Sequence, residues 1–152
     1  MIENIRQFLS SHLIDYKDGI DMPTFVIKTE DLIDVIKILY DKFNFKMLVD
    51  ITAVDWLNKK QKRFEVVYHL RNLDENVRIR IKIMIDENEE IESITSIYKG
   101  ANWLEREVYD MFGIKFKNHP NLERIILWDN FPGHPLRKDF FIRTEVPLPE
   151  NE

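Results

Sequence analysis

Three carboxylates in one short stretch, Glu105, Glu107 and Asp110, are the first residues whose type and spacing suggest chemistry. Paired carboxylates carry out general acid–base work when their surroundings push their proton affinities apart. Here Arg106 stands among them and Arg124 and Arg137 follow downstream, and a guanidinium beside a carboxylate keeps it ionised, which suits ion pairing better than proton transfer. The four histidines, His12, His69, His119 and His134, are the candidate metal ligands and bases. Neither His12 nor His69 has a histidine or carboxylate at ligand spacing. His119 and His134 each precede a proline, where turn chemistry with the ring bonded to backbone accounts for them, so a metal site built on the two and a carboxylate is the weaker reading. Four glycines in the whole chain leave little material for a phosphate loop, and no serine or cysteine nucleophile arrangement is present. No catalytic, cofactor-binding or metal-binding residue is therefore assigned.

The carboxylates belong to a helix expected over 103–112. Asn102 reads as its N-cap, with Glu105 three residues on to complete a capping box, and Gly113 reads as the left-handed residue that ends it after Phe112. At about 100° per residue, Leu104, Val108, Met111 and Phe112 share a core face, whereas Trp103, Arg106, Glu107 and Asp110 share another. Arg106 can pair with Asp110 at i, i+4; Glu107 and Asp110 repel unless a cation such as Arg124 or Arg137 comes between them.

Ahead of this helix the periodicity describes a two-layer α+β domain. An amphipathic helix is expected over 1–14, a short strand over 25–28, and a helix capped by Thr29 with the stripe Leu32, Ile33, Ile36, Leu39, Tyr40 and Phe43. Three alternating segments then read as an antiparallel meander: Phe45, Met47, Val49, Ile51 and Ala53; Phe64, Val66, Tyr68 and Leu70; Val77, Ile79, Ile81, Ile83 and Ile85. Polar turns at 58–62 and 72–76 are short enough for hairpins. Arg78, Arg80 and Lys82 fall on the third strand's other face, opposite Glu65, as a solvated or cross-strand-paired face. The pattern over 91–98 fits a fourth strand or a helical turn equally. The fold class is thus a mostly antiparallel sheet packed by two or three helices.

The domain ends at Gly113, and 114–152 reads as an extended, proline-rich C-terminal arm. His119-Pro120, Pro132, Pro135, Pro147 and Pro149 break any long element, yet Phe116, Leu122, Ile125, Ile126, Trp128, Phe131, Phe140 and Phe141 are too apolar for a free tail. Such an arm needs a partner surface. Glu107 and Asp110 are expected to tie to Arg124 or Arg137, and Arg137-Lys138-Asp139 to meet an acidic or phosphate-bearing neighbour.

Composition narrows the class. The formal net charge of -5, from 22 basic and 27 acidic residues, argues against nucleic acid as a partner. The absence of cysteine excludes disulfides, thiolate zinc sites and cysteine-ligated iron–sulfur clusters. No apolar run is long enough to span a bilayer and no leader pattern opens the chain, so a cytoplasmic protein, peripheral to any membrane, is expected.

Glu105 through Leu127, ERExYDMFGIxFxxHPxLxRIxL, followed by GHPLRKDF at Gly133 to Phe140, closely resembles the signature of the 30 kDa subunit family of respiratory complex I. The resemblance implies a non-catalytic structural or assembly subunit of an NADH:quinone oxidoreductase, carrying no cofactor of its own, on the cytoplasmic face of the cell membrane. Its implied partners are the other complex I subunits, above all the 49 kDa subunit and the small cluster-bearing subunit. Matching positions imply interface or structural roles for Trp103, Glu105, Arg106, Glu107, Asp110, Phe112 and Gly113 on the helix, and for His119, Pro120, Arg124, Pro135, Leu136, Arg137, Lys138, Asp139 and Phe140 beyond it. Related chains in membrane-bound hydrogenases and F420H2 dehydrogenases leave the electron donor open. A stand-alone module that holds an acidic ligand on the basic arm, where 114–143 carries six basic against three acidic residues, is the other alternative.

Overall fold

Alternating apolar side chains put β4 (Phe64–Asn72) and β5 (Val77–Ile85) at the centre of a five-stranded sheet in a computed structural model that describes residues 1–141. The two strands pair antiparallel in unbroken register from Phe64↔Ile85 to Asn72↔Val77, joined by a turn in which Asn76 adopts a left-handed φ of 52°. β3 (Met47–Asp55) pairs antiparallel on the outer side of β4. The register slips between Leu48 and Asp50, and this bulge corrects the expected face: Ile51 and Ala53 point into the core, while Met47 and Val49 are exposed and Leu48 packs inward instead.

The first fourteen residues depart from the amphipathic helix expected there. α1 (Ile2–Phe8) is short, its Ile5 and the following Leu9 are buried, and the chain then enters β1 (Leu13–Asp18), which forms a hairpin with β2 (Pro23–Ile27). β2 pairs parallel with β5, giving the order β1-β2-β5-β4-β3, mixed at that one junction. Thr29 does not cap a helix through its side chain; its hydroxyl donates to the Met84 carbonyl of β5, and a 3-10 turn, Thr29–Asp31, leads into α2 (Leu32–Asp41). Leu32, Val35, Ile36 and Leu39 on α2 bury against the inward residues of the sheet, and Tyr98 donates its hydroxyl to the Phe45 carbonyl at the edge of that core.

Over 91–98 the chain forms β6 (Ile91–Glu92) followed by a turn, and β6 pairs parallel with β7 (Phe116–Lys117). Between them lies α3 (Ala101–Phe112), packed on β3 through a face that includes Val108, Met111 and Phe112. Among the described residues the fold is α+β, with three α-helices and a five-stranded sheet whose pairings are antiparallel except for β2 with β5.

Candidate docking interface

Much of the described chain after Gly113 is organised by α3. The last four carbonyls of a helix have no partner within it. Here each finds one: Gly113 N–H donates to Tyr109 O at 2.7 Å, His134 Nδ1–H to Asp110 O at 2.9 Å, Leu136 N–H to Met111 O at 3.1 Å, and Arg137 Nε–H to Phe112 O at 2.6 Å. The spacing of His134, Pro135, Leu136 and Arg137 is therefore the spacing needed to cap a helix from outside, and the Arg137 charge also complements the negative end of the helix dipole. Burial pushes the His134 imidazole below its usual proton affinity, and Arg137 and Arg124 add to the effect.

Gly113 is the pivot. Its φ of 75° lies in the left-handed region, and a Cβ there would come within 2.6 Å of His134 Cδ2 and 2.8 Å of Arg137 Nη2. Both side chains are tied to α3 carbonyls and cannot swing away freely. Gly113→Ala is expected to cost about 2 kcal/mol through backbone strain and displaced caps. Denaturant titration of the full chain, in which the midpoint falls without a change of slope, checks this.

One turn earlier, Asp110 holds the segment that follows β7. Its side chain is fully buried, and Oδ1 accepts from Arg124 Nη1 at 2.7 Å. Oδ2 accepts three consecutive backbone amides, Ile125 at 3.1 Å, Ile126 at 2.8 Å and Leu127 at 2.9 Å. Burial pushes this carboxyl up, but the amides of Leu127, Ile126 and Ile125 and the Arg124 guanidinium outweigh it and hold it below the ordinary carboxylate range. Arg124 continues the network through Nη2 to the carbonyls of Phe131 and Gly133. Arg106 does not pair with Asp110; it lies over the Trp103 ring and donates to the carbonyls of Glu123 and Arg124. Glu107 is exposed and forms no ion pair among the described residues.

Glu105 corrects the capping-box expectation. The helix begins at Ala101, and the Glu105 side chain turns inward, where it is fully buried. It accepts from Ser93 Oγ at 2.6 Å and from the Ile94 amide at 2.8 Å, pinning β6 to α3. The His119 side chain is equally buried: Asn121 N–H donates to its Nδ1 at 3.0 Å, and its Nε2–H donates to Asn102 O at 3.1 Å. With Nδ1 an acceptor the ring is neutral, so its 3.8 Å approach to Glu105 is not an ion pair. Burial pushes Glu105 up to about 7, although the Ser93 and Ile94 bonds pull the other way. Pro120, next to His119, is exposed.

A second cluster lies outside the residues singled out by the sequence. Asp55, at the end of β3, is bound by Arg63 through Nε at 3.1 Å and Nη2 at 2.9 Å, and by the Lys138 amide at 2.9 Å. Arg63 also reaches Asp139 at 2.6 Å and Glu87 at 3.1 Å, and Glu87 meets Arg137 at 2.8 Å. Of Arg137, Lys138 and Asp139, expected to face a neighbour, Arg137 and Asp139 form ion pairs within the chain, while Lys138 is held by its backbone amide and its side chain is exposed. Phe140 stacks on Phe131 with ring centres 5.8 Å apart, and Trp128 meets Phe131 edge-on at 5.1 Å. The signal for Asp55 and Arg63 is a carboxylate and a guanidinium flanking the 58–62 turn, where hairpin pairing brings them together. Pro147 and Pro149 of the expected proline-rich arm lie outside the described residues. Among the described residues, no group of three His, Cys, Asp or Glu is placed to hold a metal, and no helix is long and apolar enough to cross a membrane.

This arrangement leaves large apolar side chains at the surface. Trp103 is 59% exposed and Ile126 60%, with Ile125 beside it and Leu136 further along. The arrangement of α3 and the segment that clasps it lies within a family match: residues 25–146 fit the model for the respiratory-chain NADH dehydrogenase 30 Kd subunit. The chain belongs to that family. Relatives of the 30 Kd subunit include the C subunit of the NADH-quinone oxidoreductase of Citrifermentans bemidjiense, 42% identical over 140 residues that cover 91% of this chain and 86% of the relative. The corresponding C subunit from Moorella thermoacetica is 40% identical over 133 residues, 87% of this chain and 88% of the relative. Among solved structures, a chain of the membrane-bound sulfane sulfur reductase, an archaeal respiratory membrane complex, superposes with a TM-score of 0.77 at 27% identity, covering 93% of this chain and 86% of that one. Membership of the 30 Kd family gives the buried α3 network a setting: one component of a multi-subunit respiratory complex.

Proposed function

We propose that this chain is a non-catalytic structural subunit of an NADH-quinone oxidoreductase, bracing the quinone-facing and cluster-bearing subunits of its peripheral part on the cytoplasmic face of the membrane. One observation carries the reading: apart from the exposed Glu107, the charged groups on α3 and those packed against its end are spent on caps, clasps and backbone amides. Asp110 serves three amides and Arg124, Arg137 serves a helix end, and Glu105 holds β6. What they hold in place is an exposed apolar face of Trp103, Ile125 and Ile126, with the exposed Glu107 beside it. A fixed apolar face with a charged rim is suited to a permanent partner. The partner in this reading is the large 49 kDa-type subunit, with the small cluster-bearing one behind it.

The double variant Trp103→Ala, Ile126→Asp tests the proposal, because both side chains are exposed and the fold does not depend on them. The full chain is expected to keep its melting temperature while its recovery in the complex purified from native membranes falls about ten-fold, as for loss of an interface anchor. Complex recovered at normal yield with a selective loss of turnover would reject the reading. The similarity to the sulfane sulfur reductase chain supports a second version, in which the same bracing role is played in a related membrane complex with a different electron donor. Identification of the chains that copurify decides between them.

A further inference from the structure

The sheet has two faces, and the helices cover one. The inward residues Ile79, Ile81, Ile83 and Ile85 of β5 are buried in the same core as α1, α2 and α3. On the outer face a groove of about 470 Å³ runs between β1, β2, β5 and the 60–62 turn. Its apolar surface comes from Ile14, Val26 and Met84. Ile14 sits at the β1 bulge and is 63% exposed, an apolar residue where an outer strand ordinarily shows a polar one.

The rim is cationic. Lys17, Lys60, Lys62 and Lys82 line the groove with Asp15 and Glu65. Counting Glu89, which holds Lys62 at 2.9 Å from outside the lining, and Asp15, 3.6 Å from Lys17, four ammoniums face three carboxylates. Glu65 is 5% exposed although no helix covers it, because two lysine stems close over it, with Lys60 Nζ at 2.8 Å and Lys82 Nζ at 2.8 Å. Burial pushes the Glu65 carboxyl up, and the bonds from Lys60 and Lys82 more than offset it. Each ammonium has three donors and gives one to Glu65, so the pair stands ordered at the groove with donors to spare. Fixing long side chains in advance removes part of the entropy a partner would otherwise have to overcome.

We propose that this groove is a second docking surface, distinct from the α3 face, and that its occupant is an acidic segment of a neighbouring subunit with an apolar side chain seated on Ile14, Val26 and Met84. The charge surplus selects carboxylates in the occupant, and the apolar floor together with the interspersed Asp15 and Glu65 selects a polypeptide over a polyanion. The proposal rests on the chain being one component of a larger complex. It adds that the chain is gripped from both sides of its sheet, as a brace must be.

Site-specific photo-crosslinking in the native complex tests it, with the reactive amino acid placed at Met84 in one variant and at Ile126 in another. Capture of a neighbouring subunit from Met84, through a peptide rich in Asp or Glu, is the expected result. In the Met84 variant, the further change Lys17→Glu with Lys62→Glu is expected to lower that capture about ten-fold, while the same change leaves capture from Ile126 intact. Capture from Ile126 with none from Met84 overturns the second surface and leaves the structural-subunit reading standing. Capture from neither overturns both, and capture of lipid or nucleic acid from Met84 overturns the choice of a protein occupant.

Discussion

Asp110→Ala is expected to unfasten the segment after β7 from α3 and to destabilise the chain by about 3 to 5 kcal/mol, the range for removing one partner from a buried charged network. The size follows from what is orphaned. Three successive amides, Ile125 to Leu127, lose their acceptor at once, and Arg124 is left partly buried with main-chain carbonyls alone, those of Phe131, Gly133 and, at 3.5 Å, Asp110. Asp110→Asn is the informative control. Its amide oxygen can still accept, but its nitrogen must face donors whichever way it turns, so it should recover only part of the loss. Denaturant unfolding of the full chain measures the cost. An alanine variant within about 0.5 kcal/mol of the parent, the level of an ordinary surface substitution, would show that the network does not hold the segment.

The second large effect is a pH dependence centred on Glu105. Its folded-state value is raised by burial from 4.5 to about 7, so the folded protein binds a proton that the unfolded chain releases. The stabilisation from this group is fully present below about 4.5 and is lost as pH rises through about 7, a change of about 3 kcal/mol by linkage. His69 and His134, whose values are lowered chiefly by burial, act oppositely in the neighbouring window, since their contribution is lost as pH falls. The test is therefore a difference. Glu105→Gln, which keeps an acceptor for the Ile94 amide, should gain on the parent as pH rises from 5 to 8, with the gain levelling off above the titration. The groups that face Glu105 are Ser93 and the Ile94 amide from β6 and the turn after it, the neutral His119 from the segment after β7, and the buried Tyr68 of β4, whose own hydroxyl is pushed up by burial and by Glu105. None is a cation. A parent and variant whose stabilities run parallel across that range would mean that Glu105 is ionised in the fold.

The central strands are legible because nothing competes with their period. Apolar residues recur at every second position of β4 and β5, with Val67 and Met84 the apolar exceptions on the outer face, and inward positions such as Val66, Tyr68, Ile79 and Ile83 are all buried. β3 reads one step out of phase at its start, since a bulge at Leu48 to Asp50 leaves no mark in composition. β1 merges with the first helix in the sequence because Leu13, following Leu9 at helical spacing, continues that stripe, and only hairpin pairing with β2 overrides it. Glu105 shows the same limit at the scale of one residue: three positions after a good cap, a glutamate serves a capping box equally well in sequence, and the nearby Ser93 and Ile94 decide otherwise. The pairing of Asp110 with Arg124 is among the alternatives the charges allow. The caps supplied by His134, Leu136 and Arg137 leave no such trace, because they depend on a reversal of direction at Gly113 that places the segment back against the helix end.

The parallel junction between β2 and β5 bears on how the chain is made. Thr24 lies beside Arg80 and Val26 beside Lys82, so the first hairpin emerging from the ribosome has no permanent neighbour until more than fifty further residues have been synthesised. Until then Phe25 and Ile27, both fully enclosed in the finished protein, face solvent on a nascent polypeptide. A ribosome pause or truncation upstream of residue 77 is expected to leave a sticky, protease-sensitive fragment, whereas one that falls after residue 85 lets the sheet close.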